Sequence, residues 1–249
     1  MMNPKFVFFG TTIDSRFALA QLERIGLIPA LVIDTKDIPD DLSNTDWDFF
    51  LVASYGKILS KEILDIPKYG ALNIHPSLLP QFRGPSPYVS AILSDMRQTG
   101  VSVMQMSEKM DAGPIIAQAR MEIAPEDWPP KGLELSEMLF TEGVNLLAEA
   151  LPAYMAGTLT LEPQDESAAT YTKKYKDSDA LIDLEGDPYQ QFLKIRAFDK
   201  DPRAHFFTPK GKRVIITAAD FAEGKLLIQK VLPEGKKEMP YDEYLRGVR

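Results

Sequence analysis

The chain has 249 residues, 45 % hydrophobic and 26 % charged, with a net charge of −8, enough for one large or two modest domains with a real core. It has no cysteine and only two histidines, so it holds no disulfide, thiolate metal site or cysteine nucleophile, and no metal is expected. No apolar run approaches the ~20 residues that cross a bilayer, and the opening "MMNPKFVFFGTTIDS" lacks a leader's cleavage pattern, so a cytoplasmic monomer without a membrane partner is expected.

The first half alternates strand and helix signals. "KFVFFG" (5–10) is a continuous apolar run, as a strand covered on both faces requires. "SRFALAQLERIG" (15–26) has a helical period and stops at Gly26. "IPALVID" (28–34) and "FFLVASYG" (49–56) read as strands, "KEILDIP" (61–67) as a short helix, and "ALNIH" (71–75) as the next strand. Such alternation predicts βαβ units and a mostly parallel, Rossmann-like α/β sheet. Ser86-Pro87 reads as the start of a helix over 87–95. "VSVMQMS" (101–107) and "IIAQARMEI" (115–123) alternate and predict a hairpin-like pair. Residues 133–157 read as a long amphipathic helix ending at Gly157. A polar stretch follows, then a helix over 187–198 and several short strands. The expected organisation is therefore a catalytic domain over 1–165, a linker over 166–178 and a small β-rich, OB-like domain over 179–249. Charge divides in the same way: residues 1–169 carry 12 Lys/Arg against 23 Asp/Glu, and residues 170–249 carry 16 against 13, which by itself reads as two domains of different composition, a different partner for the second part being the alternative.

The chemistry concentrates in "ALNIHPSLLPQFRGPSPY" (71–88). Asn73 and His75 stand two apart and so project from one face of the strand. Pro76 then ends the pairing, placing both polar groups at the carboxyl rim, where parallel sheets hold their sites. A third polar group, Asp111, lies in the turn "KMDAGP" between two predicted strands. A carboxylate beside His75 fixes and charges the imidazole. Asn, His and Asp around one point are the parts for acyl or formyl transfer to an amine: a donor to the oxyanion, a group that stabilises charge, and an acceptor for the proton. No G-x-S-x-G elbow is present, which favours direct transfer. Gly10-Thr11-Thr12 lacks the glycines of a dinucleotide loop. Met104 and Met106 read as core, with Gln105 pointing the other way toward the site, and His205 reads as structural.

"NIHPSLLPQFRGPSP" followed by "TGVSVMQMSEKMDAGPII" resembles the folate-dependent formyltransferases, whose motif is Asn-x-His-x-Ser-Leu-Leu-Pro with a downstream Asp-x-Gly. The resemblance implies a Rossmann-like catalytic domain, 10-formyltetrahydrofolate as co-substrate, Asn73, His75 and Asp111 as the catalytic trio, and Ser77, Leu78, Leu79 and Pro80 as the folate-binding segment. "FFGTT", "GVSVMQM", "ATYTKKY" (169–175) and "KVLPEGKKEMPYDEYLRG" (230–247) are similar to the branch that formylates initiator methionyl-tRNA. That implies a tRNA partner, with Arg16, Arg83, Lys236 and Lys237 as substrate-facing cations. Two features leave the acceptor open. Pro76 follows His75, as in enzymes acting on glycinamide ribonucleotide, and the segment after "LVIDT" is the short, acidic "KDIPDDLSNTDWDFF". A small amine, such as a nucleotide-linked amino sugar or glycinamide ribonucleotide, is the alternative acceptor, and a non-catalytic folate- or RNA-binding relic is the alternative class.

Overall fold

A computed structural model describes residues 4–248; the first three residues of the leader reading lie outside it. The chain forms two compact units. The first runs up to Pro87 and includes Gln98–Glu122 and Leu135–Lys173; the second comprises Tyr88–Arg97, Ile123–Glu134 and the chain from Lys174 onward.

The first unit is built on six strands: β1 (Phe6–Phe9), β2 (Leu31–Ile33), β3 (Phe49–Val52), β4 (Ala71–His75), β5 (Gln98–Gln105) and β6 (Ile115–Glu122). They lie in the order β2-β1-β3-β4-β5-β6. The first four are mutually parallel, while β5 and β6 run antiparallel. This is the expected Rossmann-like sheet with its hairpin-like pair. Every residue of β1, β3 and β4 is buried, which explains their unbroken apolar runs. Phe6 stacks on Phe49 with ring centroids 4.7 Å apart. One face packs Val7, Phe9, Phe50, Val52 and Ala71 against Trp47, Leu59 and Leu64.

Helix α1 (Ile13–Arg24) starts at a capping box in which Thr12 and Ser15 satisfy each other's backbone N–H groups. The turn after β1 is joined to the turn after β3 by the Thr12 hydroxyl, which donates to Ser54 Oγ at 2.9 Å. The short α2 (Lys61–Leu64) and α3 (Pro87–Leu93) fall where the sequence placed them. The long α4 (Gly132–Met155) covers the Leu72–Ile74 face of β4 through Gly143.

The second unit carries α5 (Pro188–Ala197) and the strands β7 (His205–Phe207), β8 (Arg213–Ala222), β9 (Lys225–Pro233) and β10 (Met239–Pro240), ordered β10-β9-β8-β7 in an antiparallel sheet. This is the small β-rich part anticipated from the sequence. His205 is buried, with Nδ1 2.9 Å from the Arg203 carbonyl, a structural placement. One element was not anticipated: α6 (Tyr241–Val248), whose Tyr241 and Tyr244 rings meet Phe206 edge-on. Its signal was Pro240 followed by Asp242 and Glu243 in the first turn.

The expected linker divides between the two units. Part of it, residues 166–173, packs within the first unit. Glu162 pairs with Ile115 and Tyr171 with Arg83, so this segment is a strap along the first unit.

A Cβ placed on Gly143 would come within 2.5 Å of an Ile74 methyl and 2.9 Å of a Val101 methyl. Both neighbours are β-branched and stiff. Gly143→Val is therefore expected to destabilise the protein by about 1–3 kcal/mol, read as a lower urea midpoint. An unchanged midpoint would mean that α4 does not rest on β4 and β5 through this contact.

Candidate active site

Asn73 and His75 close β4 on one face, and the next residues turn away at Pro76. Asn73 is 8 % exposed and His75 is 4 % exposed. Among the described residues the Asn73 carboxamide has no protein hydrogen-bond partner in view, while His75 has two neighbours. Its Nε2 lies 3.0 Å from the Phe82 carbonyl. Its Nδ1 faces Asp111 Oδ2 at 3.8 Å, an ion-pair distance beyond hydrogen-bond reach. Since the Phe82 oxygen only accepts, Nε2 carries a proton, and both ring edges face oxygen. An imidazolium meets that arrangement with both of its N–H groups.

Asp111 is held from the other side. Its Oδ2 accepts the Gly84 N–H at 2.7 Å. The three-residue stretch Phe82–Gly84 thus contacts both catalytic candidates, one through a carbonyl and the other through an amide. This requires unusual backbone. Phe82 has φ +58, Gly84 φ +110 and Asp111 φ +50. Asp tolerates the left-handed region, whereas a phenylalanine there is strained. At Gly84 a side chain would also strike the Thr172 hydroxyl and carbonyl at 2.8 and 2.9 Å. At Gly113 a Cβ would lie 1.8 Å from the Gln105 carbonyl, which explains the Asp-x-Gly spacing: the turn closes on itself two residues after the carboxylate.

The other expected site residues divide. Arg83, expected to face substrate, is fully buried. Its Nε and Nη2 donate to Gln164 Oε1 at 3.0 and 2.8 Å, and Nη2 also donates to Glu166 Oε1 at 2.9 Å. It is an internal cation, because the strap covers it. Ser77 and Leu79, expected to touch folate, are 1 % and 3 % exposed. The Ser77 hydroxyl donates to the Gln81 carbonyl at 2.7 Å, and Leu79 packs with Met104 and Ile115. Leu78 and Pro80 are half-buried. The segment is thus mainly a rigid support. Arg16 is exposed in the first turn of α1, at the same carboxyl edge of the sheet as His75. Lys236 and Lys237 are exposed in the β9–β10 turn of the second unit.

Sequence reasoning missed the groups that stitch this loop down. The Ser102 hydroxyl, on the β5 residue paired with His75, donates to the Ser77 carbonyl at 2.6 Å and accepts the Leu79 N–H at 3.0 Å. Gln118 Nε2 donates to the Leu79 carbonyl and to Ser102 Oγ, both at 2.8 Å. The signal was available for Ser102, which interrupts the buried apolar run of β5; Gln118, on the exposed face of β6 with Arg120 and Glu122, gave none. Phe82, Gly84 and Gln164 gave none.

A cavity of about 610 Å³ opens beside the turn that carries Asp111. It is lined by Lys61, Leu64, Gly70, Gln105, Met106 and Lys109, among others. Gln105 lines this cavity together with Met106, which the sequence assigned to the core, while Met104 is core. Among the described residues no group of three or more His, Asp or Glu side chains could hold a metal ion, and no helix is long and apolar enough to cross a membrane.

The formyl transferase family model matches residues 30–149. A methionyl-tRNA formyltransferase of Roseiflexus castenholzii is 36 % identical over 245 residues, covering 89 % of this chain and 75 % of that protein. The chain belongs to the formyltransferase family. Among solved structures, a methionyl-tRNA formyltransferase from Clostridium thermocellum superposes with a TM-score of 0.69 at 19 % identity, over 92 % of this chain and 98 % of that one. HypX from Aquifex aeolicus, in complex with tetrahydrofolic acid, does so with 0.73 at 20 % identity, over 98 % and 47 %. At such identities these superpositions speak for the fold, and this formyltransferase shares it.

Glu166 gives the site a pH signature. Hydrogen bonds from Arg83 and then Lys109 hold its carboxyl at about 2, against an ordinary 4.5. The folded value lies below the unfolded one, so the stabilisation is complete above about pH 4.5 and fades as pH falls toward 2. The melting-temperature gap between the wild type and Glu166→Gln should therefore be widest near neutrality and narrow below pH 4.5. A gap that stays constant across that range would show that the carboxylate charge contributes nothing.

Proposed function

We propose that this formyltransferase moves the formyl group of 10-formyltetrahydrofolate to the amino group of methionyl initiator tRNA, acting as a cytoplasmic monomer. The observation that carries the chemistry is the joint seating of His75 and Asp111 on Phe82–Gly84, with the Asn73 carboxamide left unpartnered beside them. The acceptor rests on the 36 % identity to a methionyl-tRNA formyltransferase over most of both chains, and on the balance of 16 basic to 13 acidic residues after residue 169. Exposed Lys236 and Lys237 are suited to the tRNA backbone. Arg16, exposed at the sheet edge that holds His75, suits the end of the acceptor. The 610 Å³ cavity is of the size that takes a drug-sized ligand, but its lining holds neither the trio nor residues 77–80, so the folate is assigned through the resemblance of Ser77, Leu78, Leu79 and Pro80 and not through this cavity.

The folate supplies an activated formyl group on a tertiary nitrogen. The chain's own residues carry the transfer. Asn73 donates from its carboxamide to the formyl oxygen as negative charge develops there, an interaction strengthened by burial. Protonated His75, with Nε2–H committed to the Phe82 carbonyl, offers its Nδ1–H to the same charge. Asp111 receives the proton that the attacking amine must lose. A C–N bond forms to the amine, the bond to folate N10 breaks, and the proton held by Asp111 passes on to N10, which restores the carboxylate.

His75→Ala should lower turnover by about 100-fold or more with the fold retained by circular dichroism, and Asn73→Ala should do the same. Unchanged turnover in either would refute its role. Supplied separately with charged initiator tRNA, an amino-sugar nucleotide and glycinamide ribonucleotide, each with 10-formyltetrahydrofolate, the enzyme should formylate the tRNA. Transfer only to a small amine would replace the acceptor and leave the chemistry standing; folate binding without any transfer would make the protein a relic.

A further inference from the structure

Gln164 is half-buried and uses both ends of its carboxamide. Its oxygen accepts two bonds from the fully buried Arg83 guanidinium, at 3.0 and 2.8 Å. Its Nε2 donates to the backbone carbonyls of Asp111 at 2.9 Å and Gly113 at 2.7 Å. The amide therefore joins a fixed internal cation to the two residues that frame the catalytic turn. The Arg83 end is immobile. The guanidinium is shared with Glu166, and its own backbone pairs with the strap: Arg83 N–H donates to the Thr170 carbonyl at 2.9 Å, and Thr172 N–H to the Arg83 carbonyl at 2.7 Å. The residue before Arg83 accepts from His75 and the residue after it donates to Asp111. Gln164 thus closes a ring: His75 to Phe82, along the chain to Gly84, to the Asp111 carboxylate, through the Asp111 carbonyl to Gln164, and back to Arg83.

We propose that Gln164 is a positioning residue that sets the separation between Asp111 and His75. The catalytic consequence rests on the roles given to those two residues above. Only glutamine among the side chains can serve both ends at this reach. It offers an acceptor to a cation and a pair of donors to two carbonyls that face the same way. A glutamate keeps the acceptor for Arg83 but turns an oxygen toward the carbonyls of Asp111 and Gly113, which repels the turn.

The test is Gln164→Glu in the full chain. Turnover should fall by roughly tenfold to a hundredfold, the range of an ångström-scale misplacement, with KM for both substrates within about threefold and the melting temperature close to wild type. The chain has two histidines, so the imidazole 15N spectrum resolves one residue of the site and one reference. The His75 resonances should move and those of His205, in the second unit, should stay. In an Asp111→Asn background, Gln164→Glu should cost less than about twofold further, since the position it sets no longer matters. Unmoved His75 resonances, or the full loss repeated in the Asp111→Asn background, would overturn the proposal. Full turnover in Asp111→Asn alone would remove the catalytic reading, while the His75 resonances would still decide whether Gln164 places the pair. Should Gln164→Glu fail to fold, Gln164→Asn, which keeps both groups at shorter reach, takes its place and should shift the same resonances.

Discussion

A guanidinium with no exposure to water must be neutralised where it stands, because an isolated buried charge costs far more than the fold can spare. Arg83 is that group. Its donors are met by Gln164, Glu166 and, at longer range, the Tyr171 hydroxyl at 3.4 Å. All three belong to one stretch, so satisfying Arg83 fixes the course of residues 164–171 over the unit. The backbone pairing of Arg83 with Thr170 and Thr172 follows from the same placement. So does the position of Phe82 and Gly84, which have no freedom once the residue between them is anchored at both side chain and main chain. The catalytic candidates inherit their geometry from that anchor.

The division of labour is between a rigid base and strained loops. Strand β4 is buried on both faces and paired on both sides, so it delivers Asn73 and His75 without choice of position. The loop beyond it is held by Ser102 and Gln118. Against that base, Phe82 and Asp111 sit in left-handed conformations, which Asp tolerates and which for Phe82 is unfavourable by about 1–3 kcal/mol. Such residues persist only where their surroundings over-determine them, and here the surroundings are the hydrogen bonds of the Arg83 ring. The Asn73 carboxamide is the complementary feature. Among the described residues it has no protein partner and keeps 8 % exposure, so it is open to an oxygen brought from outside.

The fold was legible because its signals are local. The unbroken apolar runs of β1, β3 and β4 and the helical period of α1 each follow from burial pattern alone, and Pro76 marked where β4 had to end. The meeting of His75 with Asp111 was legible for a similar reason: Asn73 and His75 share a strand face, and Asp111 stands two residues before a glycine that a side chain would force out of its turn. Arg83 was misjudged because an arginine in a loop of prolines and glycines carries no mark of burial; only the folded strap reveals it. Gln164 was invisible for the same cause. It stands in "EPQDESAATYTKKYKDSD", a stretch whose composition is that of a solvated connection. What buries it is a partner 81 residues away, and no periodicity encodes such a distance. The helix α6 was lost differently, since its caps are ordinary but its length is only eight residues.

The turn that carries Asp111 shows why a single amide can govern the site. Its base is closed by backbone alone: Met106 N–H donates to the Ala71 carbonyl at 2.7 Å and Gln105 N–H to the Pro114 carbonyl at 3.0 Å. Gly113 admits the close passage of the Gln105 carbonyl that this closure needs. Between these fixed ends the tip has little to hold it, since Lys109 and Met110 are exposed. Lys109 is tethered to Glu166, and Asp111 to Gly84 and Gln164. The tip is therefore a hinged flap with all its lateral ties running to the strap or to the loop that the strap holds. A change in the sheet would move His75 and Asp111 together. A change in the strap would act on Asp111 through Gln164 and on His75 only through the Phe82 carbonyl, and the 3.8 Å between carboxylate and imidazole is the quantity it would alter.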